Sequence, residues 1–286
     1  MAQGFPVEPD RIAEPMMKTI ECCRKLHEKQ LQGKTAFPFL TNLASGQFFD
    51  PEAAAKGMLC YKGFRYDLAR LLRYQTAIEY IVENYHYPPT HCLNLLEIGP
   101  GYIDTIKALS QLQAFYIVRI DAIDIDATNL RKGFEESPEL RAVRFEAWEY
   151  DMAGSLVREW AEERAGTYDV VTMFETIEHF EPDQVPGILR MIRSLMRDNG
   201  IFLVSSPRAE IEPASMWPGH KKHYTSQEML DLFTSAGFRV DRSWGNRSIG
   251  GIEPQDISQV IEAEARVYHA GSCAILVWAL IAEAPE

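Results

Sequence analysis

The segment "LNLLEIGPG", residues 93–101, decides the fold. A short apolar run bounded by a turn is typical of a buried strand, and the segment "YIDTIKALSQL" (102–112) that follows has a helical pattern. Glycine lets the turn tighten and approach a ligand, and a helix N-terminus offers free N–H groups. The turn is therefore a candidate ligand site, with a purely structural turn as the alternative. Its spacing differs from G-x-G-x-x-G, because Asp104 stands near the place of the third glycine.

Strands and helices alternate from this segment to the end of the chain. The predicted strands are 93–99, 116–126, 142–151, 168–175, 200–207, 238–246 and 273–283. The predicted helices are 102–112, 128–136, 155–164, 185–196 and 226–237. Such alternation predicts an α/β fold, a Rossmann-like doubly wound sheet that is mostly parallel, with ligands at the carboxyl ends of its strands.

The N-terminal third of the chain has another pattern. After a turn signal at Asp50-Pro51, apolar residues recur at helical spacing until the prolines at 88 and 89. This predicts a helical N-terminal cap over residues 1–90, ahead of a second domain over 91–286.

Composition narrows the class of protein. The net charge of −12 argues against broad nucleic-acid affinity, which depends on Lys and Arg. The 5 cysteines show no C-x-x-C spacing, which favours a reduced, cytoplasmic protein over a disulfide framework or cysteine zinc site. No apolar run approaches the roughly 18 residues of a membrane helix, and the N-terminus lacks the pattern of a signal peptide.

Acidic residues follow the second and third predicted strands. Asp124 and Asp126 stand at the end of the second strand, where a carboxylate can accept both hydroxyls of a ribose. An ordinary helix N-cap is the alternative for such an aspartate. Asp151 and Met152 end the third strand, in "EYDMAG", where an adenine could be recognised.

The segment "YDVVTMFETIEHFEPDQ", residues 168–184, places three ionisable groups after a buried strand. If a helix begins directly after that strand, Glu175, Glu178 and His179 lie on one face of one turn. Three interpretations stay open. The acids could favour a helix dipole, His179 could act as a general base oriented by a glutamate, or the three could bind a divalent metal.

Five segments together resemble the successive motifs of class I S-adenosylmethionine-dependent methyltransferases. They are "LLEIGPG", "DAIDID", "EYDMAG", "YDVVTMFETIEHF" and "LMRDNGIFLVSSP", and the resemblance covers roughly residues 93–283. It implies a seven-stranded sheet with a reversed last strand, and S-adenosylmethionine as cofactor. It also implies cofactor contacts: the methionine part at Glu97, Gly99 and Gly101, the ribose at Asp124, the adenine at Asp151 and Met152, and further contacts at Ile125 and Phe174.

A second resemblance concerns the metal interpretation. The E-x-x-E-H turn, followed by H-K-x-x-aromatic-T at residues 220–225, resembles the metal-binding set of small-RNA 3′-terminal ribose 2′-O-methyltransferases. It implies Glu175, Glu178, His179 and His220 as ligands of Mg, Mn or a similar ion, with His223 as the local alternative. Ubiquinone-pathway and sugar O-methyltransferases carry a similar turn, so the turn alone is not diagnostic, and a solvated loop is the alternative for the two later histidines.

The predicted function is transfer of a methyl group from S-adenosylmethionine to a hydroxyl of a small-molecule or glycan-type acceptor. An alcohol needs a base or a metal because its pKa is far above 7, so His179, Glu175 and Glu178 are the predicted catalytic residues. Methylation of an RNA 3′-terminal ribose, N-methylation of a small amine, and a non-catalytic cofactor-binding scaffold are the alternatives. Neither nucleic acid nor a membrane is an expected partner, and a homodimer is left open.

Overall fold

A computed structural model of the protein describes residues 73–74, 76–85, 92–101, 103–110, 112, 117–137, 140–141, 143–248 and 273–283. The chain divides into two compact units. One comprises Met1–Arg73 and Asn246–Tyr268, most of which lies outside the described residues. The other comprises Tyr74–Gly245 and His269–Glu286 and contains the site. Most of the predicted N-terminal cap lies outside the described residues, and the domain boundary at residue 90 stays a prediction.

The second unit carries a sheet with strand order β3-β2-β1-β4-β5-β7-β6. Its strands are β1 (Cys92–Ile98), β2 (Ile117–Asp124), β3 (Arg144–Glu149), β4 (Tyr168–Phe174), β5 (Met196–Pro207), β6 (Phe238–Ser248) and β7 (Cys273–Ala282). The pairings among β1 to β5 are parallel, whereas β7 runs antiparallel to β5. The predicted Rossmann-like sheet with a reversed last strand is confirmed.

Five α-helices alternate with these strands in the described part of the chain. They are α1 (Ile103–Leu109), α2 (Thr128–Glu135), α3 (Ser155–Glu162), α4 (Val185–Leu195) and α5 (Ser226–Ser235), and residues 76–84 are also helical. Two short 3₁₀ helices, η1 (Ile177–His179) and η2 (Ala214–Met216), lie near the strand ends. None of the described helices is long and apolar enough to span a membrane.

Local sequence explains where these elements form. Every residue of β4 is buried, which suits its run of apolar and β-branched side chains in the middle of a parallel sheet. Helix α4 buries Val185, Ile188, Leu189, Ile192 and Leu195, which recur at helical spacing. Helix α5 begins at a capping box in which Thr225 and Glu228 bond each other's backbone.

Strand β5 begins at Met196, four residues earlier than predicted. Met196 already pairs with Tyr168, and the register then shifts before Val170 pairs with Ile201. Asn199, at φ 61°, adopts the left-handed conformation that asparagine tolerates, so the strand can begin before the irregularity and resume after it.

The sheet reverses its order of connection between β1 and β4, which are neighbours. Ligands of doubly wound folds bind where such a reversal leaves a crevice at the carboxyl ends of the strands. In this chain those ends are the turn after Ile98 and the turn after Phe174. The first turn carries Gly99 and Gly101, which are predicted cofactor residues. The second carries the predicted catalytic residues Glu175, Glu178 and His179.

Candidate active site

The turn after β1 is held against the turn after β4. Gly99 has a φ of 65°, and its N–H donates to the carbonyl of Ile123 over 2.8 Å. The Thr176 hydroxyl donates to the Gly99 carbonyl over 3.1 Å. A Cβ on Gly99 would lie 2.4 Å from the methyl carbon of Thr176, so this close approach requires glycine.

Gly101 and Asp124 form a second contact at the same edge. Gly101 has a φ of 62°, and its N–H donates to Oδ2 of Asp124 over 2.8 Å. The N–H of Asp126 donates to the other oxygen, Oδ1, over 3.1 Å. The Asp124 carboxylate is therefore oriented from both sides, at the end of the second strand as predicted.

Glu97 lies inside β1 and is buried, being only 1% exposed. The Thr172 hydroxyl, from the adjacent strand β4, donates to its Oε2. Near the end of β4, the Phe174 ring lies 5.8 Å from the ring of Tyr74. The Tyr74 hydroxyl in turn accepts from Thr105 of α1 over 2.8 Å. These contacts join β1 to β4, and β4 to α1 through Tyr74.

The end of β3 joins this edge through the backbone. The N–H of Tyr150 donates to the carbonyl of Asp124 over 3.0 Å. Asp151 is exposed and accepts from the N–H of Ala153 over 2.9 Å, while Met152 is buried. Ile125 is 76% exposed, although it is a large apolar residue. Asp151 and Met152, predicted for the adenine, thus lie on the turn after β3, and Ile125, predicted as a further cofactor contact, lies on the adjoining turn after β2.

The turn after β4 differs from the predicted helical face. Glu175 has a φ of 52°, so the chain leaves the strand in the left-handed conformation and then forms the 3₁₀ helix η1. The Glu175 carboxylate accepts from the Ser205 hydroxyl over 2.7 Å, and its N–H donates to the Ser205 carbonyl over 3.1 Å. Glu175 is bonded to β5 in this way, and the arrangement at i, i+3 and i+4 that an α-helix would produce does not form.

Glu178, His179 and His220 come together. One potential ligand atom from each lies within 4.8 Å of the others. Glu178 is completely buried, His220 is half-buried and His179 is exposed. The two imidazole rings meet edge to face, with centroids 4.6 Å apart. Two of the three predicted ligands of the turn thus join a residue some forty positions along the chain, and this group does not include Glu175.

A backbone hydrogen bond holds the two segments together. The N–H of Lys221 donates to the carbonyl of Glu178 over 2.7 Å. The Lys221 ammonium also lies 2.7 Å from the carboxylate of Glu181, just beyond η1. The loop that carries His220 is therefore attached to the turn on either side of His179.

Hydrogen bonds to carbonyl groups determine the tautomers of His179 and His223, and the bond to His223 determines that of His220. Nδ1 of His223 lies 2.6 Å from the carbonyl oxygen of Glu212, which can only accept. Neutral His223 therefore carries its proton on Nδ1, and its Nε2 accepts from Nδ1 of His220, 2.7 Å away. Nδ1 of His179 likewise donates to the carbonyl of Gly219 over 3.2 Å. In both His179 and His220, Nε2 is left as the nitrogen with the lone pair.

The surroundings of His220 keep its ring neutral. Burial, together with the charges that His179 and His223 would carry, lowers the pKa of His220 to about 4. A neutral imidazole with its Nε2 lone pair available can accept a proton or bind a cation. The buried His223, predicted as an alternative ligand, lies behind His220 and orients it.

Comparison with known proteins identifies the family. Residues 40–243, more than half of the chain, match the family model described as a methyltransferase domain. The chain belongs to this methyltransferase family. No curated protein matches the methyltransferase in sequence.

Solved structures have the same fold as this methyltransferase. The small RNA methyltransferase HEN1 is 18% identical with a TM-score of 0.52, over 75% of this chain and 25% of that one. The CurJ carbon methyltransferase is 14% identical, also at 0.52, over 97% of this chain and 72% of that one. A SAM-dependent methyltransferase from Archaeoglobus fulgidus is 16% identical with a TM-score of 0.48, over 73% of this chain and 94% of that one.

The family is that of the class I S-adenosylmethionine-dependent methyltransferases, so the resemblance stated from the motifs is confirmed. S-adenosylmethionine is the cofactor that membership implies. The crevice of this methyltransferase fits it: apart from the neighbours of Gly101 in the chain, none of the described residues has an atom within 4 Å of where a Cβ on Gly101 would stand. The oriented carboxylate of Asp124 borders the same turn.

Sequence reasoning missed several polar residues of the methyltransferase site. Thr172 bonds Glu97, Thr176 bonds Gly99 and Ser205 bonds Glu175. Hydroxyl groups inside the apolar runs of β4 and β5 are the only sequence signal for Thr172 and Ser205. Their partners lie on other strands, so the sheet pairing was needed to find them.

Proposed function

We propose that this methyltransferase methylates a hydroxyl of a small-molecule or glycan-type acceptor, assisted by a divalent cation held by Glu178, His179 and His220. The observation that carries the proposal is the meeting of these three side chains within 4.8 Å at the end of β4, beside the cofactor crevice. An in-line displacement depends mainly on positioning of donor and acceptor. An alcohol acceptor needs, in addition, help with the loss of its proton.

The donor set favours a first-row transition metal. One carboxylate and two neutral imidazoles suit Mn²⁺, Fe²⁺, Co²⁺ or Zn²⁺, whereas Mg²⁺ prefers oxygen ligands and retains several waters. The tautomers support this, since Nε2 of both His179 and His220 carries the lone pair. A bound divalent cation would lower the pKa of the acceptor hydroxyl and orient its oxygen.

The cofactor is assigned to the ends of β1, β2 and β3. Asp124 accepts the ribose hydroxyls, because each carboxylate oxygen can accept more than the single N–H that it now accepts. The methionine part lies along Glu97, Gly99 and Gly101, where the backbone can approach it closely. The adenine lies among the residues that follow β2 and β3, namely Ile125, Asp151 and Met152, and Phe174 contacts the cofactor from the end of β4.

The remaining catalytic assignments follow from position. Glu178 is buried, and the Lys221 N–H donates to its backbone carbonyl, which fixes the main chain that carries its carboxylate. His179 is exposed and can also act as a general base, which is the metal-free form of the proposal. Glu175, bonded to Ser205 at the end of β4, is assigned to orienting the acceptor.

The test is methyl transfer from S-adenosylmethionine by protein that has been treated with a chelator. Turnover of hydroxyl acceptors should fall to background and return with Mn²⁺ or Co²⁺, more fully than with Mg²⁺. If turnover of the same acceptors resists the chelator, His179 instead removes the proton of the acceptor hydroxyl as a general base. Turnover of amines alone would make the enzyme an N-methyltransferase. Cofactor binding with no product from any acceptor class would indicate a scaffold.

A 3′-terminal ribose of RNA is the second candidate acceptor. Glu178, His179 and His220 are three of the four ligands that the motif resemblance implied for small-RNA methyltransferases, the fourth being Glu175. The charge of the chain, −12, counts against a polyanionic acceptor. Protection of an RNA 3′ end from periodate after incubation with the enzyme would favour this candidate over the small-molecule acceptor.

A further inference from the structure

Two large apolar side chains are exposed on the loop that carries His220. Met216, the last residue of η2, is 64% exposed, and Trp217 beside it is 38% exposed. The other tryptophans of the chain are buried or half-buried: Trp148, Trp160, Trp244 and Trp278. We call the pair the Met216–Trp217 face.

The indole of Trp217 is held in place although it is exposed. Its Nε1–H donates to a carboxylate oxygen of Glu212 over 3.2 Å. Its ring lies nearly parallel to the imidazole of His220, at 20° and with centroids 6.1 Å apart. Backbone bonds from Trp217 to Ala214 and from His220 to Trp217 fix the loop around it. A ligand that stacked on this ring would not have to order it first, which favours binding.

The face lies within reach of the group that would hold the acceptor oxygen. A ligand oxygen lies about 2 Å from a bound divalent cation. A hydroxyl carried directly on a ring therefore brings that ring to within a few ångströms of His220, where Trp217 lies. A hydroxyl on a long flexible chain imposes no such proximity.

The charges near the face favour an uncharged acceptor. The ammonium of Lys221 lies 2.7 Å from Glu181, and that of Lys222 lies 2.7 Å from Glu228. The Glu212 carboxylate accepts from the Trp217 indole. Both lysines are paired with carboxylates and Glu212 accepts from a neutral indole, so the loop offers no unpaired positive charge among these groups to attract an anionic acceptor.

We infer that the Met216–Trp217 face binds the flat, apolar side of a cyclic, uncharged acceptor whose reacting hydroxyl is attached directly to the ring. The inference rests on the proposed function, since it takes the acceptor oxygen to lie at Glu178, His179 and His220. Phenolic rings and sugar rings both have this chemistry, because each combines an apolar face with hydroxyls at its edge.

Ligand-observed NMR with three probes tests the inference on the full chain with S-adenosylhomocysteine and Mn²⁺ present. Catechol and methyl α-glucopyranoside are the cyclic probes, and 1,2-propanediol is the acyclic probe. Trp217→Ala should weaken binding of at least one cyclic probe about tenfold, the upper range for an aromatic contact. Trp217→Phe should restore most of that binding, and 1,2-propanediol should bind both variants as it binds the wild type.

Equal affinity of Trp217→Ala and wild type for both cyclic probes would overturn the inference, and so would failure of both to bind the wild type. Whichever cyclic probe depends on Trp217 identifies the ring type. The two proposals fail in different ways. If the wild type does not bind Mn²⁺, the proposed metal site is contradicted. A role of Trp217 in acceptor binding requires, separately, that Trp217→Ala binds Mn²⁺ and the cofactor as the wild type does.

Discussion

The two sides of the crevice are built by different means. On the proposed cofactor side, at the ends of β1 and β2, Gly99 and Gly101 have positive φ, and the Asp124 carboxylate accepts from the N–H groups of Gly101 and Asp126. On the acceptor side, at η1 and the loop after β5, side chains from segments some forty residues apart meet. Their positions depend on bonds to carbonyl groups of the turn and loop. The proposed cofactor side thus depends on strand ends within the sheet, and the proposed acceptor side depends on the meeting of a turn and a loop.

The largest effect is expected on the acceptor side, from Glu178→Gln. This change keeps the shape of a buried side chain and removes its charge, so methyl transfer to a hydroxyl should fall by about 100-fold or more, the scale of metal or base assistance. Steady-state turnover with and without Mn²⁺ measures it. Glu181→Gln is the matched control, because Glu181 is an exposed carboxylate of the same segment and its ion pair among the described residues is with Lys221. Equal losses in the two variants would contradict the assignment.

A pair of glycine substitutions on the proposed cofactor side separates an effect on stability from an effect on cofactor binding. Gly99→Ala places a Cβ 2.4 Å from Thr176 at a φ of 65°, so the free energy of unfolding should fall by about 2–4 kcal/mol. Gly101 has a φ of 62°, but a Cβ there would meet no atom within 4 Å among the described residues beyond its chain neighbours, so Gly101→Ala should lose only about 1–2 kcal/mol.

Denaturant unfolding measures the free energy of unfolding of the two variants, and calorimetric titration measures their affinity for S-adenosylmethionine. Gly101→Ala should weaken cofactor binding despite its smaller effect on stability. If it instead binds the cofactor like the wild type, the open space beside Gly101 is not part of the cofactor crevice.

A smaller effect is expected from His223→Phe. His223 orients His220 through a 2.7 Å hydrogen bond without belonging to the three-residue group, so its loss should weaken Mn²⁺ binding by about tenfold rather than abolish it. Tyr224→Phe is the control, because the Tyr224 hydroxyl is buried and has no hydrogen-bond partner in the described part of the chain. Mn²⁺ titration followed by electron paramagnetic resonance measures both. Complete loss of Mn²⁺ binding in His223→Phe would instead indicate that His223 is itself a ligand of the metal.

Local pattern was sufficient for the fold and for the position of the cofactor side. The apolar run of β4, the capping box at Thr225 and the glycines after β1 are each readable within a few residues. The acceptor side was predicted less completely. The residues around Glu175 give no signal for its left-handed conformation, because that conformation accompanies hydrogen bonds to Ser205 on another strand. The roles of His220 and His223 could not be separated by spacing, because they depend on the Glu212 carbonyl.

The most direct test of the metal assignment is the binding of Mn²⁺ to chelator-treated wild type and Glu178→Gln, each with S-adenosylmethionine present. We expect the wild type to bind one equivalent, seen by electron paramagnetic resonance, and Glu178→Gln to bind at least about tenfold more weakly with unchanged cofactor affinity. Equal binding by the two proteins, or no binding by the wild type, would contradict the account that Glu178, His179 and His220 hold a metal.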